Sequence, residues 1–404
     1  MLSFSHFDGK HGESAAIRNL LAFHGVVNPV TGQPFTEALC FGIAGGIGAG
    51  YSYCPSVLKW KGGSGISIPG RYKAYATGAD WYQGCFERLG IKTRITETAA
   101  KGKAYQNLVA ELQQGNPVVV WCSRGKLPFL GGSFEGLNLW MHSFVVYGVD
   151  ETAGVAHGAD RSATQVTLTL DELAEARAGV CSHKNRTLVL EPPAALKPAL
   201  VQSAVVAGIR AGMQELLAGK MKTFSLPGFE IWAKMVANDT AKDGWLKAFW
   251  PRWLFDALHQ VFHSIETGGT GGGLYRPLYA DFLDEAAAIT GNPALGTLAG
   301  DYRHLGQDWT DLAESALPDR VKPFKEFKKQ LRKRWQLFEE KGAKAAAPIA
   351  KADAEVKRLQ KELAEAFPLG EAETRQLLEG LRERIVGLHA REVDAARKLQ
   401  AIVK

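Results

Sequence analysis

The stretch Met141–Asp160, MHSFVVYGVDETAGVAHGAD, decides how the first half of this chain folds. His142–Val149 is rich in β-branched and aromatic residues, Asp150–Gly154 has the composition of a tight turn, and Val155–Ala159 resumes a short strand-like run. Runs joined by so short a turn pair antiparallel, because a parallel pair needs a long crossover. Pro117–Cys122 (PVVVWC) precedes them and Thr187–Leu190 follows, so several short strands are expected together. Upstream the spacing is helical. Ala16, Ile17, Leu20, Leu21 and Phe23 recur on one face of Ser14–His24, which ends at Gly25, and further helices are predicted over Asp80–Leu89 and Tyr105–Gln113. Helices first and antiparallel strands afterwards predict an α+β fold, not a doubly wound parallel sheet.

The whole chain has 404 residues, too many for one core of ordinary size, and 46% hydrophobic with 22% charged residues excludes wholesale disorder. Composition divides it into three expected domains. Residues 1–193 form the α+β domain and end at a Pro192-Pro193 linker. Residues 194–317 read as helical throughout and carry Trp232, Trp245, Trp250, Trp253 and Trp309. Residues 318–404 are strongly charged. There Leu378, Leu381, Ile385, Leu388, Ala395, Leu399 and Ile402 fall on heptad positions with Glu392 as the exception, while breaks at Pro348 and Pro368-Leu369-Gly370 separate successive helices. A C-terminal helical hairpin or a coiled-coil arm is predicted, the latter a means of forming a homodimer.

The formal charge of +6 is unevenly placed: Arg320–Arg334 holds eight basic residues against Glu326 alone. Met1–Ser14 has neither the basic nor the apolar region of a leader, and charge or glycine interrupts every long apolar run, so a cytoplasmic protein without a membrane segment is expected. Five cysteines, widely spaced and without a C-x-x-C pair, argue against a disulfide framework or a cysteine-built zinc site.

The chemistry-bearing segment is the first one. HFDGKHGESAAIRNLLAFHGV (His6–Val26), then GNPVVVWC, then Met141–Asp160, follow the chain order of a papain-like cysteine site. In such a site a nucleophile sits at a helix N-terminus, a His on a later strand is its base, and an Asp on the next strand orients that His. His142 opens one strand and Asp160 closes the next, so a hairpin brings their side chains together.

On these residues the region from His6 to about Pro193 resembles the N-terminal domain of the butirosin biosynthesis protein H family. Ser264–Ala287 (SIETGGTGGGLYRPLYADFLDEAA), with Tyr302, Arg303 and Trp309, resembles the helical domain of unknown function that usually follows it. The resemblance implies a papain-like α+β domain followed by a helical one, and it implies acyl transfer in secondary metabolism. An acyl carrier protein or CoA-type thioester would be the donor, a small-molecule amine the acceptor, and phosphopantetheine or CoA would enter only as part of the substrate, with no resident cofactor.

One departure matters more than these agreements. The family has His-Cys-x-Ser/Thr at the head of the first helix, where this chain reads His11-Gly12-Glu13-Ser14. Glycine cannot be a nucleophile. Three readings stay open: Ser14 substitutes, although it lies roughly 200° around the helix from position 12; His142 acts as general base for direct attack of the amine, with Asp160 fixing its tautomer and the substrate-binding backbone of His11, Gly12 and Glu13 stabilising the oxyanion; or the domain is catalytically inactive and serves as a binding or scaffold protein.

Weaker candidates complete the reading. His259 and His263 sit one helical turn apart with Glu266 beyond them, but Gln260 stands where a zinc H-E-x-x-H needs its glutamate, and no metal is expected. Gly268–Gly273 and Gly45–Gly50 match no phosphate-binding fingerprint and read as turns that let backbone approach a ligand or a helix. Glu266 and Arg276 either present opposite charges to a polar substrate or form an internal ion pair. Around Arg320–Arg334, Phe324, Leu331 and Phe338 mark a packing stripe, and the basic face is either solvated or a docking surface for an acidic carrier protein; nothing resembles a nucleic-acid module.

Overall fold

The hairpin predicted from Met141–Asp160 supplies two neighbouring inner strands of a six-stranded antiparallel sheet in the computed structural model, which describes residues 1–56, 63–76, 78–130, 141–191 and 195–403. Along the chain come α1 (Gly12–Phe23), α2 (Glu37–Ala44), α3 (Gly78–Arg88), strand β1 (Lys92–Thr96), α4 (Lys101–Gln113), β2 (Val118–Ser123), the hairpin β3 (Met141–Asp150) and β4 (Val155–Ala159), β5 (Val166–Thr169), α5 (Leu170–Ala178) and β6 (Thr187–Glu191). Strand order is β1-β6-β2-β3-β4-β5, antiparallel at every step. A separate two-residue ladder joins Ser52–Tyr53 to Ile66–Ser67.

β2 is buried along its whole length, as a continuous VVVW run requires of a strand covered on both faces. The two edge strands escaped the sequence reading because edges need little apolar surface. Lys92–Thr96 (KTRIT) alternates charged and half-buried residues, and β5 is only four residues long. Thr169 then opens α5 as its N-cap, in a capping box with Glu172.

The chain forms two compact units. The first gathers residues 1–40, 78–204 and 334–353 and contains the sheet; the second gathers 41–77, 205–333 and 354–404. The Pro192-Pro193 linker lies outside the described residues. The second unit is built from helices: the end of α6 (Pro198–Ala218), α7 (Gly228–Val236), α8 (Trp245–Phe249), α9 (Leu254–Phe262), α10 (Arg276–Thr290), α11 (Pro293–Ala316), the first part of α12 (Lys322–Lys341), the second part of α13 (Ala346–Glu365) and α14 (Glu371–Ile402). α10 and α11 are joined tightly. Gly291 takes the left-handed cap at φ +69°, and Asn292 accepts from the Ala294 N–H ahead of Pro293.

The heptad residues Leu378, Leu381, Ile385, Leu388, Ala395 and Leu399 are all buried, with α14 packed on α7 and α11. Its apolar seam is therefore covered within one chain. At the glycine stretch, Gly273 has φ +54° and a β-carbon there would lie 2.7 Å from the Gly306 carbonyl oxygen, so this loop is the close approach of backbone to a helix. Among the described residues no helix is long and apolar enough to cross a membrane.

Candidate active site

The register of the hairpin assembles the first pair of residues. Val145 faces Ala159 across β3 and β4, which sets His142 diagonally against Asp160 on the same face of the sheet. His142 Nε2 lies 2.9 Å from Asp160 Oδ2. An ionised carboxylate only accepts, so Nε2 carries a proton, and in the neutral imidazole the lone pair is on Nδ1. Burial by itself would push the Asp160 carboxyl up. The neighbouring charge and hydrogen bond of His142, then Arg161, outweigh it and hold the carboxyl below its ordinary value.

α1 packs against β3 and delivers its first residue to the other side of the imidazole. A β-carbon on Gly12 would stand 3.0 Å from His142 Cε1 and 3.6 Å from Nδ1. The position that a nucleophile would occupy thus faces the basic nitrogen, and it holds no side chain. Tyr82 on α3 anchors the strand from behind, its hydroxyl 2.9 Å from Ser143 Oγ.

His11 caps α1. Its Nδ1 accepts from the Ser14 N–H at 3.3 Å, which leaves Nε2–H to donate to Glu13 Oε2 at 2.9 Å, while its ring meets Trp81 edge-on with centroids 5.1 Å apart. Ser14 Oγ lies 3.1 Å from His11 Nδ1 and 3.2 Å from Glu37 Oε1, fully buried, so its hydroxyl holds the first turn together. Gly12, not Ser14, meets His142.

Glu37 is the residue that sequence reading missed. Its carboxylate accepts the Lys10 N–H at 2.9 and 3.0 Å and the His11 N–H at 2.7 Å, besides facing the Ser14 hydroxyl. Near the start of α2 it looks like any acid in a helical first turn, and only the fold returns it to α1.

In the second unit the other candidates have internal partners. Glu266 Oε1 accepts the Gly273 N–H at 3.1 Å and the Thr310 hydroxyl at 2.8 Å, closing the glycine turn. Arg276 is fully buried: Nε donates to Glu392 Oε1 at 2.7 Å, Nη1 to the Leu274 carbonyl at 2.8 Å, and the guanidinium lies 5.1 Å from the Trp309 ring centroid. It does not pair with Glu266 and is not presented to a substrate; its counter-charge is the residue that breaks the heptad. His259 packs between Phe255 and Phe327, and burial lowers its pKa to about 4; His263 bonds Thr267 at 2.9 Å. No described group of His, Cys, Asp and Glu could hold a metal ion. Cys40, Cys85 and Cys122 are buried, and Cys54 is exposed.

The basic segment is less basic than its composition. Lys328 is buried and pairs with Glu314 and with Asp319 at 2.9 Å, Arg332 also pairs with Glu314, and Arg334 is buried on Asp353 at 3.1 Å. Lys322, Lys325, Lys329 and Lys333 stay exposed at helical spacing along α12.

Residues 11–161 match the family model described as Butirosin biosynthesis protein H, N-terminal, and residues 171–342 match a domain of unknown function (DUF4872). Gly12, His142 and Asp160 fall in the first match, Glu266 and Arg276 in the second. No curated protein matches the chain.

Proposed function

The chain has the butirosin biosynthesis protein H-like architecture, and from that premise we propose that it serves secondary metabolism by moving an acyl group from a thioester to an amine. The observation that carries this reading is the His142–Asp160 pair, with Nδ1 of His142 turned toward the empty Gly12 position. Direct transfer needs no covalent intermediate. The amine nitrogen attacks the thioester carbonyl as Nδ1 takes its proton, and the carbonyl oxygen becomes an oxyanion beside the backbone N–H groups at the head of α1. Collapse breaks the C–S bond, the leaving sulfur recovers the proton from His142, and the amide and a free thiol result. Asp160 holds the imidazole in the Nε2–H tautomer throughout.

The donor in this reading is an acyl carrier protein carrying phosphopantetheine, or a CoA-type thioester. Exposed Lys322, Lys325, Lys329 and Lys333 are the face on which we place an acidic carrier, and their attraction weakens with salt. The absent side chain at Gly12 favours one other reading, a catalytically inactive binding or scaffold protein. Incubation with acyl thioesters and small-molecule amines, followed by mass spectrometry, separates the two. Amide formation abolished by His142→Ala supports transfer; if the wild type yields no amide across carrier-bound and CoA-type donors while still retaining a ligand, the scaffold reading stands instead.

A further inference from the structure

We propose that Arg161 is the positioning residue of this site, held on a platform made by Trp335 and Phe338 of α12; the proposal rests on the reading of His142 as a base. Arg161 directly follows Asp160 and is 2% exposed. Its Nη1 donates to the Lys10 carbonyl at 3.3 Å, and its own carbonyl accepts the Gly9 N–H at 3.1 Å. One residue therefore ties the loop that carries Asp160, by main chain and side chain, to the segment that ends at Gly12. That segment is held again by Glu37, on the N–H groups of Lys10 and His11.

The guanidinium needs support to hold this geometry. It lies 5.5 Å from the Trp335 ring centroid and 5.7 Å from that of Phe338, two buried rings set at 90° to each other. Arg334 fixes the helix beside them through Asp353 and the Phe129 carbonyl. A planar cation that lies against aromatic rings and donates at once is a role for arginine and not for lysine. Its charge also acts on Asp160, favouring the carboxylate.

Gly12→Cys turns the site into its own reporter, with His142 yielding slightly to admit the β-carbon. Alkylation of position 12 by iodoacetamide, followed by peptide mapping so that Cys54 does not interfere, is measured from about pH 5 to about pH 9. With Arg161 in place, reactivity persists near pH 6 and is lost on adding His142→Ala. Adding Arg161→Ala lowers the rate near pH 6 by about ten-fold while the rate near pH 9 changes little. Arg161→Lys and Trp335→Ala fall in the same direction, and Trp335→Phe, which keeps a ring and serves if the alanine variants do not fold, retains the parent profile. If the Arg161 variants, melting at the parent temperature, superpose on the Gly12→Cys profile, the positioning role is wrong and the base survives. An ordinary thiol profile in Gly12→Cys, insensitive to His142→Ala, overturns both.

Discussion

Because Asp160 is buried and its carboxyl sits below its ordinary value, it links protonation to folding. Its contribution is complete above the unfolded-state value of 3.8 and is lost as pH falls through the lower value in the folded chain. Asp160→Asn should therefore destabilise the protein by about 1–3 kcal/mol at neutral pH, and urea midpoints of the two proteins should draw together as pH falls below 3.8 and through the lower value in the folded chain. Glu37→Ala should cost about 3 kcal/mol in the same assay, because it strands the Lys10 and His11 amides; a change below about 0.5 kcal/mol would mean that water satisfies those donors. The contrast between these residues shows what sequence can reveal. His142 and Asp160 are bracketed by one hairpin, so strand period and turn length alone bring them together. Glu37 reaches His11 over a separation of 26 residues that takes in the whole of α1 and the loop after it, and no local pattern encodes that return.

At the scale of elements, α14 shows how a correct periodicity can conceal its use. The heptad spacing reads equally well for a seam between two copies and for a helix packed inside its own chain, and only the partners of its exception decide. Glu392 is fully buried, and its Oε1 accepts from Arg276 Nε at 2.7 Å and from Trp309 Nε1 at 2.6 Å. Restoring the heptad with Glu392→Leu should thus destabilise, by about 3–5 kcal/mol, since it strands a buried guanidinium. Adding Arg276→Met should recover most of that loss in a double-mutant cycle. Additive effects would show that the two charges are not coupled. The same logic applies to α12, where charge counting along the sequence overstates the basic face: Lys328 and Arg334 are buried on acids from outside the segment, while Lys322, Lys325, Lys329 and Lys333 stay on the outer face.

Taken over the whole molecule, the histidines set the acid limit of stability. Burial lowers the pKa of His6, His24, His183 and His389, and that of His259 to about 4 from an unfolded value of 6.5. A base whose folded pKa is depressed binds its proton more readily when unfolded, so stability falls as pH drops below 6.5 and the loss from His259 is complete near pH 4. That residue alone accounts for roughly 3 kcal/mol across the window. Its Nε2 is buried without a hydrogen-bond partner among the described residues, and its ring already lies between Phe255 and Phe327. His259→Phe removes the proton site and suits those neighbours. The variant should match or exceed the wild type at pH 7, and the slope of unfolding free energy against pH between about 6 and about 4 should fall by close to one proton. An unchanged slope would show that His259 takes up its proton in the folded chain as it does in the unfolded one, and the loss in this window would then belong to His6, His24, His183 and His389.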